Sequence, residues 1–266
     1  MRQVWGLGLL ALASTHAWAE PEAIRAPQAR VVLVGDSTLA TRSGYGDALC
    51  ARFTSPALQC LNLARGGRSS ASFRAEGLWD ALRERLRQEP LRPTWVLIQF
   101  GHNDQPGKPG RSTDLATEFP VNLARYLSEL RELGATPVLL TPLTRRSFRE
   151  GQLLNDLRPW AETTLRVAAE ATPPVAAIDL NALSHARVQA MGEDEADRLA
   201  MAPKPSAAEP VASAASAERA GAAKSAFDRT HVGERGAQLF SALVLRELLR
   251  VQPALAPYAL SSTGLD

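Results

Sequence analysis

Three short polar stretches, each bearing glycine, follow apolar runs of strand length, and this pairing constrains the fold more than any other feature. Val31–Val34 leads to Gly35-Asp36-Ser37-Thr38, Leu58–Leu63 to Gly66-Gly67-Arg68-Ser69, and Trp95–Phe100 to Gly101-His102-Asn103-Asp104. Runs at Pro137–Leu140 and Val175–Leu180 complete a set of five predicted strands. Helical patterns lie between them. Leu123, Leu127 and Leu130 recur at helical spacing over Glu118–Leu133, and Gly134 follows as a stop. A last helix over Gly233–Arg250 places Phe240, Leu243, Val244 and Leu248 on one face. Strands alternating with such helices predict a parallel sheet covered on both sides, in a doubly wound, flavodoxin-like order. Loops after the strands of such a sheet face ligand.

The first residues read as a leader. Arg2, an apolar run from Val4 to about Ala13, and Ala17-Trp18-Ala19 predict a secretory signal peptide over 1–19. About ten apolar residues do not cross a hydrocarbon core, which needs roughly 20. The expectation is an exported protein, periplasmic or extracellular, without integral membrane association. Residues 20–266 suffice for one α/β domain. A low-complexity insertion at about 202–224 interrupts it, with Val211 its only large apolar residue. Such a segment cannot bury enough surface to offset its ordering entropy, and reads as a lid or linker over the site or as a tolerated surface insertion without a role. A net charge of +2 lacks the concentrated basic footprint of a nucleic-acid binder. A monomer is expected. Cys50 and Cys60 read as a disulfide in an oxidising compartment, worth about 2–3 kcal/mol in the chain-entropy model, or as two separate buried thiols.

Ser37 stands two residues beyond its strand, on the turn toward the first helix. Alone, Gly-Asp-Ser reads as a turn with a helix-capping serine, and only the other stretches favour a nucleophile. A serine nucleophile needs a base, and the four histidines narrow the choice, because His16 lies in the leader. Of His102, His185 and His231, only His231 has a carboxylate three residues before it, Asp228, in reach of the imidazole, although such a pair taken alone reads as a local cap or a surface ion pair. Asp36, beside Ser37, is a rival carboxylate. The scattered histidines offer no metal-ligand spacing, so no metal is expected. Acyl transfer also needs donors for an oxyanion. The Ser37 N–H, the Gly67 N–H and the Asn103 side-chain amide are candidates, although Gly67 and Asn103 also suit ordinary turns.

These stretches, with Asp228-Arg229-Thr230-His231, resemble the four blocks of the SGNH/GDSL hydrolase superfamily across most of the chain. The resemblance implies a three-layer α/β/α sandwich and no cofactor. It also implies a triad of Ser37, His231 and Asp228 and an oxyanion hole of Ser37, Gly67 and Asn103. Within the superfamily the motifs are similar to rhamnogalacturonan acetylesterases, and Thr38 replaces the Leu usual in GDSL lipases. The long segment after Glu195 departs from the pattern.

The implied substrate is an acetylated polysaccharide or oligosaccharide. Arg65, Arg68, Arg145 and Arg146 cluster in loops at strand ends, where guanidinium suits the carboxylates of a pectin-like chain. Arg68, His102, Arg145 and Arg146 are the candidate substrate contacts, and solvated surface arginines are the alternative. Other readings are a lipase, lysophospholipase or thioesterase, an acyltransferase, or a carbohydrate-binding protein without catalysis.

Overall fold

The computed structural model describes residues 27–89, 92–205 and 227–260, so the predicted leader and the 206–224 part of the insertion lie outside the described residues. In chain order the elements run β1 (Ala29–Gly35), α1 (Gly46–Cys50), β2 (Leu58–Asn62), α2 (Ser72–Ala75), α3 (Leu78–Gln88), β3 (Thr94–Gln99) and α4 (Glu118–Glu132). There follow β4 (Thr136–Leu140), β5 (Phe148–Arg149), β6 (Gln152–Leu153), α5 (Arg158–Glu170), β7 (Ala176–Ile178), α6 (Leu180–Met191), α7 (Glu193–Asp197), α8 (Glu234–Val251) and a 3-10 turn at Pro253–Tyr258.

Five parallel strands form one sheet in the order β2-β1-β3-β4-β7, the flavodoxin-like winding. Side chains alternate across it, and the two faces build two cores. Val31 and Leu33 of β1 and Leu97 of β3 meet α1, α6 and α8 through Leu49, Val188, Phe240 and Val244. Val32, Val34, Val96 and Ile98 meet α3, α4 and α5 through Trp79, Leu82, Leu123, Leu127 and Val167. The result is a three-layer α/β/α sandwich. Burial on both faces is why these strands read as continuous apolar runs.

Helix α4 shows the local logic. Phe119, Leu123, Tyr126, Leu127 and Leu130 are buried along one stripe, each large apolar side chain contributing about 1.5–3 kcal/mol. Gly134 ends the helix at φ +68°, with its N–H on the Arg131 carbonyl at 2.9 Å and the Ala135 N–H on Leu130 at 3.0 Å. In α8, Leu245 joins Phe240, Val244 and Leu248 in the core, while Leu243 packs at its margin.

The expected last strand, Val175–Leu180, is shorter than its apolar run. β7 stops at Ile178 because Asp179 starts α6, accepting from the Ala182 N–H at 3.1 Å. Leu180 is apolar because α6 buries it. The β5–β6 hairpin was not anticipated, since two-residue strands carry no period. Cys50, the last residue of α1, is disulfide-bonded to Cys60 of β2, with Cα atoms 5.3 Å apart.

The winding positions the site. The chain leaves β1 for β2 on one side and returns to β3 on the other, so the loops after β1 and β3 part at the carboxyl ends of neighbouring strands. The backbones there run close: a Cβ on Gly35 would stand 2.5 Å from the Gln99 carbonyl oxygen.

Candidate active site

Backbone bonds draw the four sequence blocks together. Arg65 N–H donates to the Gly35 carbonyl at 2.9 Å, joining the loop after β2 to that after β1. A Cβ on Gly66 would lie 3.6 Å from the Ser37 Cβ, which places that loop against the serine. The Asn103 side-chain amide donates to the Arg68 carbonyl at 3.0 Å, adding the loop after β3. Val232 N–H bonds the Ser43 carbonyl at 3.0 Å, and the Ser43 hydroxyl donates to the Ser37 carbonyl at 2.7 Å, bringing in the segment before α8. Ser37 itself is half-buried.

Asp228 and His231 form a self-contained unit. The carboxylate accepts the Thr230 N–H at 2.8 Å and the His231 N–H at 2.7 Å, folding the segment so that His231 Nδ1 lies 3.0 and 3.1 Å from its two oxygens. Burial pushes the Asp228 carboxyl up, but the bonds and charge of His231 and the two backbone donors outweigh it. The carboxyl stands far below the usual carboxylate range. Asp36, the rival, is turned elsewhere. Its Oδ1 accepts the Thr38 N–H at 2.9 Å and hydroxyl at 2.8 Å, and its Oδ2 faces His102 Nδ1 at 3.4 Å, too long for a good hydrogen bond. Burial opposes its charge, yet His102 and Thr38 hold it below the usual range.

Gly67 has φ +78°, a conformation that a side chain would strain, so glycine is demanded by the turn itself. Asn103 is buried at the foot of its loop. Next to it, Asp104 is fully buried and ties the loops after β2 and β3. Its Oδ1 accepts the Ser70 hydroxyl at 2.6 Å, the Ser70 N–H at 3.0 Å and the Thr113 hydroxyl at 3.0 Å. Burial lifts this carboxyl from 3.8 to about 7 in spite of those donors. Since the folded value exceeds the unfolded one, the proton on Asp104 stabilises the fold fully below about pH 4. That contribution is lost as the pH rises through about 7. The shift corresponds to roughly 4 kcal/mol. The melting temperature of the wild type, measured against Asp104→Asn, should therefore fall between pH 5 and pH 8. A constant difference across that window would refute the assignment.

The predicted substrate contacts are largely engaged inside the protein. Arg146 is a correction: it is fully buried, its guanidinium donating to the carbonyls of Asp228 at 2.9 Å and His231 at 2.7 Å. It clamps the Asp228–His231 turn instead of facing a ligand. His102 is also buried, against Asp36 and near Arg145 and His231. Burial chiefly lowers its imidazole below the ordinary value, with Asp36 opposing. Arg145 pairs with Asp156, and Arg68 pairs with Glu76 at 2.6 Å while donating to the Gly66 carbonyl at 2.8 Å. Arg65 is exposed. Arg229, which sequence reasoning passed over, anchors the His231 segment to α7 through a two-bond pair with Asp197, both at 2.9 Å, and a bond to Glu193. Nothing in the spacing of 193 or 197 to 229 announces that contact. Among the described residues no cluster of histidine, cysteine and acidic side chains is suited to a metal ion.

In this flavodoxin-like sandwich the loop of Ser37 and the segment carrying Asp228 and His231 meet through Ser43. The GDSL-like lipase/acylhydrolase family profile matches residues 33–239, and the chain belongs to that family. It is a carboxylic ester hydrolase. The chain is 32% identical over 245 residues to the rhamnogalacturonan acetylesterase RhgT of Bacillus subtilis, covering 89% of this chain and 97% of the relative. It is 34% identical over 172 residues to the probable rhamnogalacturonan acetylesterase YesY of the same organism, covering 62% of this chain and 76% of the relative. Among solved structures, protein YxiM of Bacillus subtilis superposes with a TM-score of 0.64 at 23% identity. The match covers 84% of this chain but spans only 57% of that longer protein. A catalytic mutant of Axe2, an acetylxylan esterase from Geobacillus stearothermophilus, gives 0.55 at 16% identity over 85% and 96% of the chains. These two likenesses speak to the fold.

Proposed function

We propose that this esterase removes O-acetyl groups from a polysaccharide of the pectin or rhamnogalacturonan type through an acyl-enzyme on Ser37. His231 takes the Ser37 proton through Nε2 as the oxygen attacks the ester carbonyl. The N–H groups of Ser37 and Gly67 and the Asn103 amide receive the oxyanion. Collapse breaks the C–O bond to the sugar, whose oxygen leaves with the proton held by His231. Water, deprotonated by the same imidazole, then attacks the acetyl-serine and frees acetate. The chemistry uses no cofactor.

The observation that carries this reading is the Asp228 carboxylate held by two backbone N–H groups against His231 Nδ1. That contact keeps the proton on Nδ1 and leaves Nε2 as the base. The acetyl and sugar classes are supported by similarity to RhgT along most of the chain. Export is part of the proposal, resting on the leader-like residues 1–19 and on a disulfide suited to an oxidising compartment.

Acetate release from an acetylated pectin fragment tests it, with butyryl and octanoyl aryl esters alongside and Ser37→Ala as the blank. Ser37-dependent acetate release with little action on the longer esters is expected. Activity confined to the longer esters would move the protein to lipase or thioesterase work. Polysaccharide affinity without Ser37-dependent turnover would make it a binding protein.

A further inference from the structure

Asn103 offers two N–H donors and one oxygen, and two other loop residues hold its amide at both ends. Its Nδ2 donates to the Arg68 carbonyl at 3.0 Å, and its Oδ1 accepts from the Arg111 guanidinium at 3.3 Å. With the oxygen and one N–H engaged, the amide plane is set and the second N–H has a single direction. Arg111 is half-buried in the long loop between β3 and α4, and that loop folds back on the site. Thr113 N–H bonds the Asp104 carbonyl at 2.9 Å, and Arg111 N–H bonds Lys108 at 3.0 Å. Gly107 and Gly110 supply the positive φ values of its turns.

We propose that Arg111 is a positioning residue for the oxyanion hole, orienting the Asn103 amide and strengthening its remaining N–H as a donor. A cation on the amide oxygen draws electron density from the nitrogen, and linked hydrogen bonds of this kind reinforce one another. The inference rests on the reading of Asn103 as an oxyanion donor, and it adds a residue outside the sequence motifs that carry that reading.

The test is a double-mutant cycle on Ser37-dependent hydrolysis of an aryl acetate, with Asn103→Ala, Arg111→Met, Arg111→Gln and both Arg111 variants on the Asn103→Ala background. Asn103→Ala should lower kcat about a hundredfold. Arg111→Met should lower kcat about tenfold with KM little changed, and Arg111→Gln, which keeps a donor without charge, should fall between it and the wild type. Affinity for a boronic acid that forms a tetrahedral adduct on Ser37 should drop in parallel. On the Asn103→Ala background the Arg111 changes should add almost nothing. If the two losses multiply, or if Arg111→Met raises KM and spares kcat, Arg111 acts independently of the amide and the proposal is overturned. If Asn103→Ala itself turns over normally, the oxyanion assignment fails first. An impaired Asn103→Ala beside a normal Arg111→Met overturns the arginine alone.

Discussion

Ser37→Ala should lower kcat for ester hydrolysis by about a million-fold, and His231→Ala should do nearly the same, with the double variant no worse than either. The reason lies in how the site is assembled. A serine hydroxyl attacks only while a base removes its proton, so serine and imidazole act as one unit and removing either removes the unit. The loops that bring them together are held by backbone bonds, such as Arg65 to Gly35 and Val232 to Ser43, which neither substitution touches. Binding of the product sugar should therefore stay close to wild type in both variants, and the melting temperature close to wild type in Ser37→Ala. Kinetics on an aryl acetate, with contaminating wild type excluded, check this. Near-normal turnover in Ser37→Ala would remove Ser37 as the nucleophile.

Asp228→Asn should cost about ten-thousandfold in kcat with the fold preserved. Asp228 Oδ1 already accepts the N–H groups of Thr230 and His231, so an asparagine would keep its oxygen there. Its NH₂ would then face His231 Nδ1, which would have to become an acceptor. The proton would move to Nε2, the atom that must take the Ser37 proton. The loss arises from the wrong tautomer, not from a missing contact. Asp36→Asn is the control, because Asp36 serves Thr38 and His102. If Asp36→Asn were the more damaging of the two, Asp36 would be the orienting carboxylate.

Legibility differed by element. The parallel sheet could be read because both faces of its central strands are buried, leaving long apolar runs at Val31–Val34 and Trp95–Phe100. α4 could be read because Leu123, Leu127 and Leu130 repeat at helical spacing and Gly134 halts it. The end of β7 was misjudged because an apolar residue at a helix start, Leu180, looks like one in a strand. The Asp228–His231 pair was legible because its partners are three residues apart and fold locally.

The arginines were not legible. Arg65, Arg68, Arg145 and Arg146 look alike in sequence, yet one is exposed, two are ion-paired, and Arg146 is sealed inside as a clamp on the His231 turn. Which carbonyl or carboxylate a long side chain meets is a matter of long-range packing. Arg146 meets residues more than 80 positions away, and Arg229 meets α7 across the segment between 197 and 229.

The amino-acid sequence by itself determined the five strands of the sheet, the helices α4 and α8, the family, and the identity of the residues with chemistry to offer. Periodicity, glycine placement and short-range spacing are local properties that survive without a fold. Tertiary structure alone decided which arginines hold the frame, that Asp104 is sealed between two loops, and that Arg111 reaches the Asn103 amide. Those facts depend on the distance and direction between side chains that no period or motif links, and the packing of the sandwich and its loops sets them.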